Sequence, residues 1–395
     1  MIRDNALHWP EEWNDEIVRP ERTAALQSQV RWDAIAKPLD GLGHFEHIIT
    51  RIAAMTGDAD VRILPASVIV MCADNGIVEE GVSQSGPEVT AAVAESMAKR
   101  RSSVCKMAQK TGAEVIPVDI GIVKDMSGTG LIHAKVRNGT RNFLKEPALT
   151  EAETLQALQI GIDLARQQKE KGCRLLLTGE MGIGNTTTSA AVTAALLGLD
   201  AEEVCGRGAG LDDAGLARKI AVIDEGLRKY GFRQDTDRNQ EKAFRALCCF
   251  GGLDIAGLAG LCIGGALYRI PVVIDGVIAA AAALAAVRLV PGCRDYLIAS
   301  HAGREKACTR ILQELCLTPV IYGDMALGEG TGAVMLVPLL QMALAVYHDN
   351  TPFSELQMAP YERYADGCGE PPRVSSAASD GSNTGSVCAA GEKQS

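Results

Sequence analysis

The carboxylate in this sequence best placed to do chemistry stands between two glycines. Asp324-Met325-Ala326-Leu327-Gly328-Glu329-Gly330-Thr331-Gly332-Ala333 follows a short β-branched run, Pro319-Val320-Ile321-Tyr322, and leads into an apolar stretch of helical spacing. A glutamate flanked by glycines at a strand end can reach a ligand and be partly desolvated, which raises its proton affinity toward that of a general base. Taken alone, Glu329 serves equally well as an N-terminal helix residue favoured by the helix dipole.

A second constellation is Leu175-Leu176-Leu177-Thr178-Gly179-Glu180-Met181-Gly182-Ile183-Gly184-Asn185-Thr186-Thr187-Thr188, a strand, a glycine-rich turn and a hydroxyl-rich helix start. Gly182 and Gly184 let the backbone approach an anion closely, and the free amides of the first helical turn, at Asn185 and Thr186, point toward it. No lysine follows the glycines as a Walker loop requires, and Thr187 stands where a dinucleotide fingerprint needs its third glycine. A tight strand–helix turn capped by threonine remains an equal reading. Cys205-Gly206-Arg207-Gly208-Ala209-Gly210-Leu211-Asp212-Asp213 reads first as a flexible turn with an aspartate cap, and the helix after it carries Arg218 and Lys219. Lys219 would suit a phosphate or a carboxylate, although most lysines are simply solvated.

The loop from Met71 to Ser85, with Asp74, Asn75 and Ser83, mixes polar and small apolar groups as the wall of a pocket for a flat aromatic molecule would. His301 follows Ser300 at a strand end and is a site candidate. His44 and His47 flank Phe45-Glu46 on an exposed helical face, and the six histidines form no ligand cluster, so no metal is expected.

Positioning these loops requires strands that end where the loops begin. Apolar runs at 66–72, 114–119, 174–178, 271–275, 296–299 and 319–322 read as strands, separated by helical patterns at 88–109, 151–169, 186–197, 302–316 and 332–347. Such alternation predicts an α/β fold with a parallel sheet covered on both faces, its ligands at the carboxyl ends of the strands. Two helices are expected between 23 and 57, with Leu26, Val30, Trp32 and Ile35 on the apolar face of the first.

The chain has 395 residues, 47% hydrophobic and 22% charged, enough for one large core with a small accessory domain. Its net charge of -10 and 4% aromatic content argue against a nucleic-acid surface. No secretory signal is visible at the start, and the most membrane-like stretch, Ile270 to Val290, contains the alanine run 279–283 but is interrupted by Asp275 and followed by Arg288, too short and too weakly apolar to span a bilayer. Twelve cysteines without CxxC pairs fit free thiols in a reducing cytoplasm. After about residue 360 glycine, serine, asparagine and glutamate dominate, and a disordered tail is expected.

Taken in order, these segments resemble the nicotinate-nucleotide:dimethylbenzimidazole phosphoribosyltransferase family. The likeness covers roughly 32–347 and rests on Lys37-Pro38, Ala73-Asp74-Asn75-Gly76-Ile77-Val78, Gly81-Val82-Ser83, Val118-Asp119-Ile120-Gly121, Arg137-Asn138-Gly139-Thr140-Arg141-Asn142-Phe143 and Gly179 to Thr187. It continues through Gly206-Arg207-Gly208, Gly210-Leu211-Asp212-Asp213, Asp254-Ile255-Ala256-Gly257, Ser300-His301 and Leu327 to Ala333.

The resemblance implies a cytoplasmic homodimer with a Rossmann-like domain at 61–345, a smaller helical domain drawing on 1–60 and the chain ends, and a mostly disordered tail over 346–395. It implies nicotinate mononucleotide and a benzimidazole-type base as substrates, with no cofactor, metal, membrane or nucleic acid. Glu329 would take a proton from the base. Glu180, Gly182, Gly184, Asn185, Thr186, Lys219 and Ser300 would hold the donor, and Asp74, Asn75, Ser83, Pro87 and Leu327 the acceptor. The chain departs from the family pattern at Asn75, where many relatives have His, and at Pro87, where many have Gln before the Glu-Val-Thr triplet. The Gly41-Leu42-Gly43 turn differs as well. Adenine or a phenol as acceptor, work as one subunit of a heterodimer, and a non-catalytic nucleotide-binding role stay open as alternatives.

Overall fold

Apolar β-branched runs become strands and the longer periodic or alanine-rich stretches become helices over residues 10–208 and 210–363, which the computed structural model describes. The chain begins with α1 (Pro10–Glu16), α2 (Arg22–Ala34) and α3 (His44–Thr56), then β1 (Ala66–Ala73), α4 (Glu88–Ala98), α5 (Ser103–Thr111), β2 (Ala113–Gly121) and β3 (Ile132–His133). It continues with α6 (Glu151–Glu170), β4 (Leu175–Met181), α7 (Asn185–Leu197), α8 (Ala201–Val204), α9 (Asp213–Lys229), α10 (Gln240–Phe250) and α11 (Leu253–Leu267). The last part holds β5 (Val272–Ile274), α12 (Val277–Leu289), β6 (Leu297–Ala299), β7 (His301–Gly303), α13 (Lys306–Glu314), β8 (Ile321–Met325) and α14 (Thr331–Asp349).

Six strands form one parallel sheet in the order β3-β2-β1-β4-β5-β6, the doubly wound order of Rossmann-like folds. Strand order reverses between β1 and β4, which pair from Ala66 with Leu175 to Cys72 with Met181, and this is where such sheets open a crevice. β1 is buried along its whole length, as a central strand covered on both faces must be. Behind it, α11 is buried from Leu253 to Ala266 and crosses α6 closely. Gly161 of α6 lies directly on the α11 backbone at Gly257, Gly260 and Leu261, leaving no room for a side chain.

Several elements differ from the sequence expectation. The helix expected over 88–109 is two, α4 and α5, broken where Arg100 adopts a left-handed φ of 59°. No glycine or proline marks that break. The segment expected as helix from 302 begins instead as β7, which pairs in parallel with β8 as a separate two-stranded sheet, so α13 starts only at Lys306. On α2 the buried face is Ala24, Ser28 and Trp32, while Leu26 and Val30 are exposed. Trp32 packs against Tyr347 of α14 with ring centroids 4.8 Å apart, and Ile35 forms an antiparallel bridge with Pro352. The early helices and the last helix thus pack on each other.

Among the described residues, α14 alone is long and apolar enough to cross a membrane by length and composition, but 56% of its apolar window is buried inside the protein. The alanine run 279–283 is a buried core helix segment of α12. The ten described cysteines are free and only Cys316 is exposed. The tail expected to be disordered lies, from residue 364, outside the described residues.

Replacing Gly161 by Ala forces α6 off α11 and overpacks the core, at a cost of roughly 1–3 kcal/mol. Chemical denaturation should show a lower midpoint with little change in slope; an unchanged midpoint would mean that the helix pair is not close-packed.

Candidate active site

The cavity at the carboxyl end of the sheet is built by loops that leave β4, β5 and β6 and by the turn between β8 and α14. Its volume is about 310 Å³, and Glu180, Gly182, Asn185, Thr186, Leu327 and Glu329 all line it, together with Val93, Gly208, Ile278, His301, Glu305 and Met325. The glycine-bracketed carboxylate and the glycine-rich turn, far apart in sequence, therefore face one space.

Each functional side chain is placed by a specific local cause. Glu180 is the penultimate residue of β4, buried, with its carboxylate against the backbone of Gly328. Asn185 opens α7 and spends both amide hydrogens on carboxylates, Glu180 and Asp254, the latter at 2.9 Å. Asp254 sits in the first turn of α11, where Oδ1 accepts from the Ile255 N–H at 3.0 Å and the helix dipole favours its charge. Burial first, and then Asp254, push the Glu180 carboxyl up to about 8. Burial likewise raises Asp254 to about 6. Glu180 thus holds a proton at neutral pH.

Glu329 is half-buried, and its Oε2 accepts from the Val104 N–H at 3.2 Å, in the first turn of α5. Oε1 has no hydrogen-bond partner among the described residues and is the oxygen available to a ligand. The break between α4 and α5 is what brings that amide to Glu329. His301 lines the cavity above Ser300, whose Oγ donates to the Ile274 carbonyl at 2.6 Å and lies 2.9 Å from His301 Nδ1. The single hydroxyl hydrogen is committed to the carbonyl, so Ser300 Oγ is left as an acceptor toward Nδ1–H.

Several predicted residues support the cavity without lining it. Ser300 is fully buried and meets the cavity only through its contact with His301. Lys219 is buried behind α7, donating to Thr186 Oγ1 at 2.9 Å and to the Gly206 carbonyl at 3.0 Å, so it ties together the two glycine-rich loops. Burial holds its ammonium below the usual lysine range. Gly184, with a left-handed φ of 92°, caps α7 against Val78 and lies outside the lining, and Ala209 falls outside the described residues.

Of the residues assigned to the acceptor, only Leu327 reaches this cavity. The loop after β1 is tied back toward the β2 edge: Asp74 exchanges backbone hydrogen bonds with Gly121 and Thr140, and its carboxylate accepts from the Val123 N–H at 2.8 Å. Asn75 donates to the Ile183 carbonyl at 3.3 Å, bracing the glycine turn from behind. Ser83 accepts from the Ser85 N–H and Pro87 precedes α4 on the surface, so neither lines the cavity; α4 contributes Val93 instead. Sequence reasoning gave no site role to Val93 or to Asp254, which entered only within the Asp254-Ile255-Ala256-Gly257 stretch of the family likeness. No group of three or more metal-ligating side chains occurs among the described residues.

A doubly wound parallel sheet with an acidic, glycine-lined cavity at its carboxyl ends defines an α/β enzyme that acts on a small molecule. The chain belongs to a phosphoribosyltransferase family, whose model matches residues 17–357. It is 39% identical over 363 residues to the nicotinate-nucleotide–dimethylbenzimidazole phosphoribosyltransferase of Ruminiclostridium cellulolyticum, covering 92% of this chain and 99% of that one. It is 42% identical over 336 residues to the protein of the same name from Roseiflexus castenholzii, covering 85% and 94%. The crystal structure of CobT from Thermus thermophilus superposes with a TM-score of 0.79 at 36% identity, covering 85% of this chain and 99% of that one.

A carboxyl raised by burial costs stability once it must ionise, so the Glu180 contribution is harmless below about pH 4.5, its ordinary value, and grows as pH climbs toward 8. Glu180→Gln should therefore melt close to wild type at pH 5 and several degrees above it at pH 9. A melting difference that does not depend on pH would contradict a proton on Glu180.

Proposed function

We propose that this enzyme moves 5-phosphoribose from nicotinate mononucleotide to 5,6-dimethylbenzimidazole or a related lower-ligand base, giving α-ribazole 5′-phosphate and nicotinate for cobamide nucleotide-loop assembly. The names of the relatives support this reading. The observation that carries it is that Glu329, Glu180 and the turn from Gly182 to Thr186 line one cavity.

The chemistry follows from charge. The nicotinate ring of the donor carries a positive charge at the nitrogen bonded to C1′ and leaves as a neutral ring nitrogen, so the leaving group needs no acid. Glu329 Oε1 takes the N–H proton of the base as its other ring nitrogen forms a bond to C1′. The C1′ bond to nicotinate breaks, its electron pair stays on the pyridine nitrogen, and attack from the opposite face gives the α-linked product. Positive charge shared between ring and ribose in the transition state is stabilised by Glu180 and Asp254 fixed nearby. Thr186, Gly182 and Gly208, with Lys219 behind them, suit the donor phosphate. Val93, Ile278, Met325 and Leu327 supply an apolar wall for a flat base. The reading includes a homodimer in the cytoplasm, with a smaller helical domain formed by the chain ends.

Glu329→Gln should fold and bind nicotinate mononucleotide with wild-type affinity by calorimetry yet release nicotinate about 10²- to 10⁴-fold more slowly in the presence of base. Wild-type turnover in this variant would reject the mechanism. Offered benzimidazole, adenine and phenol separately, the purified chain alone should release nicotinate with benzimidazole and not with phenol, as read by mass spectrometry of the ribotide. Release with phenol only would reassign the acceptor.

A further inference from the structure

Glu329 occupies an improbable backbone conformation. It is the middle of three consecutive left-handed residues, Gly328 at φ 80°, Glu329 at 62° and Gly330 at 91°. Glycine adopts this region freely, but a residue with a β-carbon is strained there, and such strain persists only where the surroundings over-determine it. The helix that follows braces the turn through Thr331, whose N–H and hydroxyl donate to the Gly328 carbonyl at 3.0 and 2.8 Å, but its capping position, Gly330, has no side chain to bond the first amides of α14.

The missing cap comes from elsewhere in the fold. Asp275, at the carboxyl end of β5, is buried, and its carboxylate accepts from three backbone amides around the turn: Gly330 at 3.1 Å, Gly332 at 2.7 Å and Ala333 at 3.1 Å. Asp275 is fixed in turn, its own N–H donating to Thr178 Oγ1 at 2.9 Å while Thr178 donates to the Val273 carbonyl at 3.1 Å. The Glu329 carbonyl packs over Gly179, where a β-carbon would come within 2.7 Å of it. Two central strands thus grip the turn, one by removing bulk and the other by a side chain.

We infer that Asp275 is a positioning residue for the proton acceptor, holding the strained turn so that the Glu329 carboxylate faces the cavity. It touches no substrate itself; its effect passes through the backbone of the residue next to Glu329. The inference rests on the reading of Glu329 as the general base. An asparagine in its place keeps one acceptor oxygen and turns an amide group toward backbone N–H donors, so at least one of the three bonds is lost.

The test is a double-mutant cycle on the full chain, with nicotinate release from nicotinate mononucleotide and benzimidazole as the readout. Asp275→Asn should lower kcat about 10- to 100-fold, the scale of a misplaced catalytic group, with donor Kd within about threefold of wild type. In the Glu329→Gln background the same substitution should cost nothing further, because a base that is absent cannot be misplaced. Gly330→Ala, whose β-carbon would come within 2.8 Å of Val68 and 3.0 Å of the Thr178 carbonyl, perturbs the same turn from its other side. It must show the same non-additivity, and it carries the test if Asp275→Asn does not fold. Wild-type kcat in Asp275→Asn, or equal losses with and without Glu329, overturns the inference alone. Wild-type turnover in Glu329→Gln overturns the base assignment and the inference together.

Discussion

Holding several carboxylates around one small, partly dry cavity is the constraint that organises this protein. Glu180, Asp254 and Asp275 are buried and Glu329 is half-buried, all at the same end of the sheet. Like charges in a low-dielectric setting repel strongly, and the fold answers with the positive ends of helices. The first turns of α7, α11 and α14 carry or contact Asn185, Asp254 and the amides bound by Asp275. Helix α5 delivers the amide that Glu329 accepts. A proton on Glu180 removes one more charge.

That arrangement makes sense of a donor whose reactive ring is already cationic. A site built for a donor whose leaving ring is uncharged would gain nothing from so much negative charge. In the proposed reading the phosphate meets the side of the cavity where Thr186 and Gly208 lie and where the buried Lys219 joins the two glycine-rich loops. Glu180 and Glu329 line the cavity on one side, while on the side of the glycine-rich loops Glu305 lies against Gly206 and Lys219 is buried behind the lining.

Much of this was legible in the sequence for simple reasons. The β-branched runs that end in glycine or aspartate turns became the parallel strands, and Glu180 and Glu329, each set beside glycines at strand ends, both reached the cavity. What escaped was long-range or unsigned. Asp275 acts on amides 55 to 58 residues later, and no local pattern announces such a cap. The break at Arg100 has neither glycine nor proline. Four of the five residues assigned to the acceptor lie outside the cavity lining, because position along a loop does not say which way the loop is tied. Ser300 and Lys219 were picked by type and place, yet neither lines the cavity, and each meets it only through a neighbour, His301 and Thr186.

The central claim, that the acids ionise to meet a cationic donor, is tested most directly by counting protons. Calorimetric titration of nicotinate mononucleotide at pH 7, in buffers of different ionisation enthalpy, should report net proton release on binding, as the Glu180 carboxyl falls from about 8 toward its ordinary value. Binding with no proton exchange, or with uptake, would mean that the cavity does not read the positive charge of the ring.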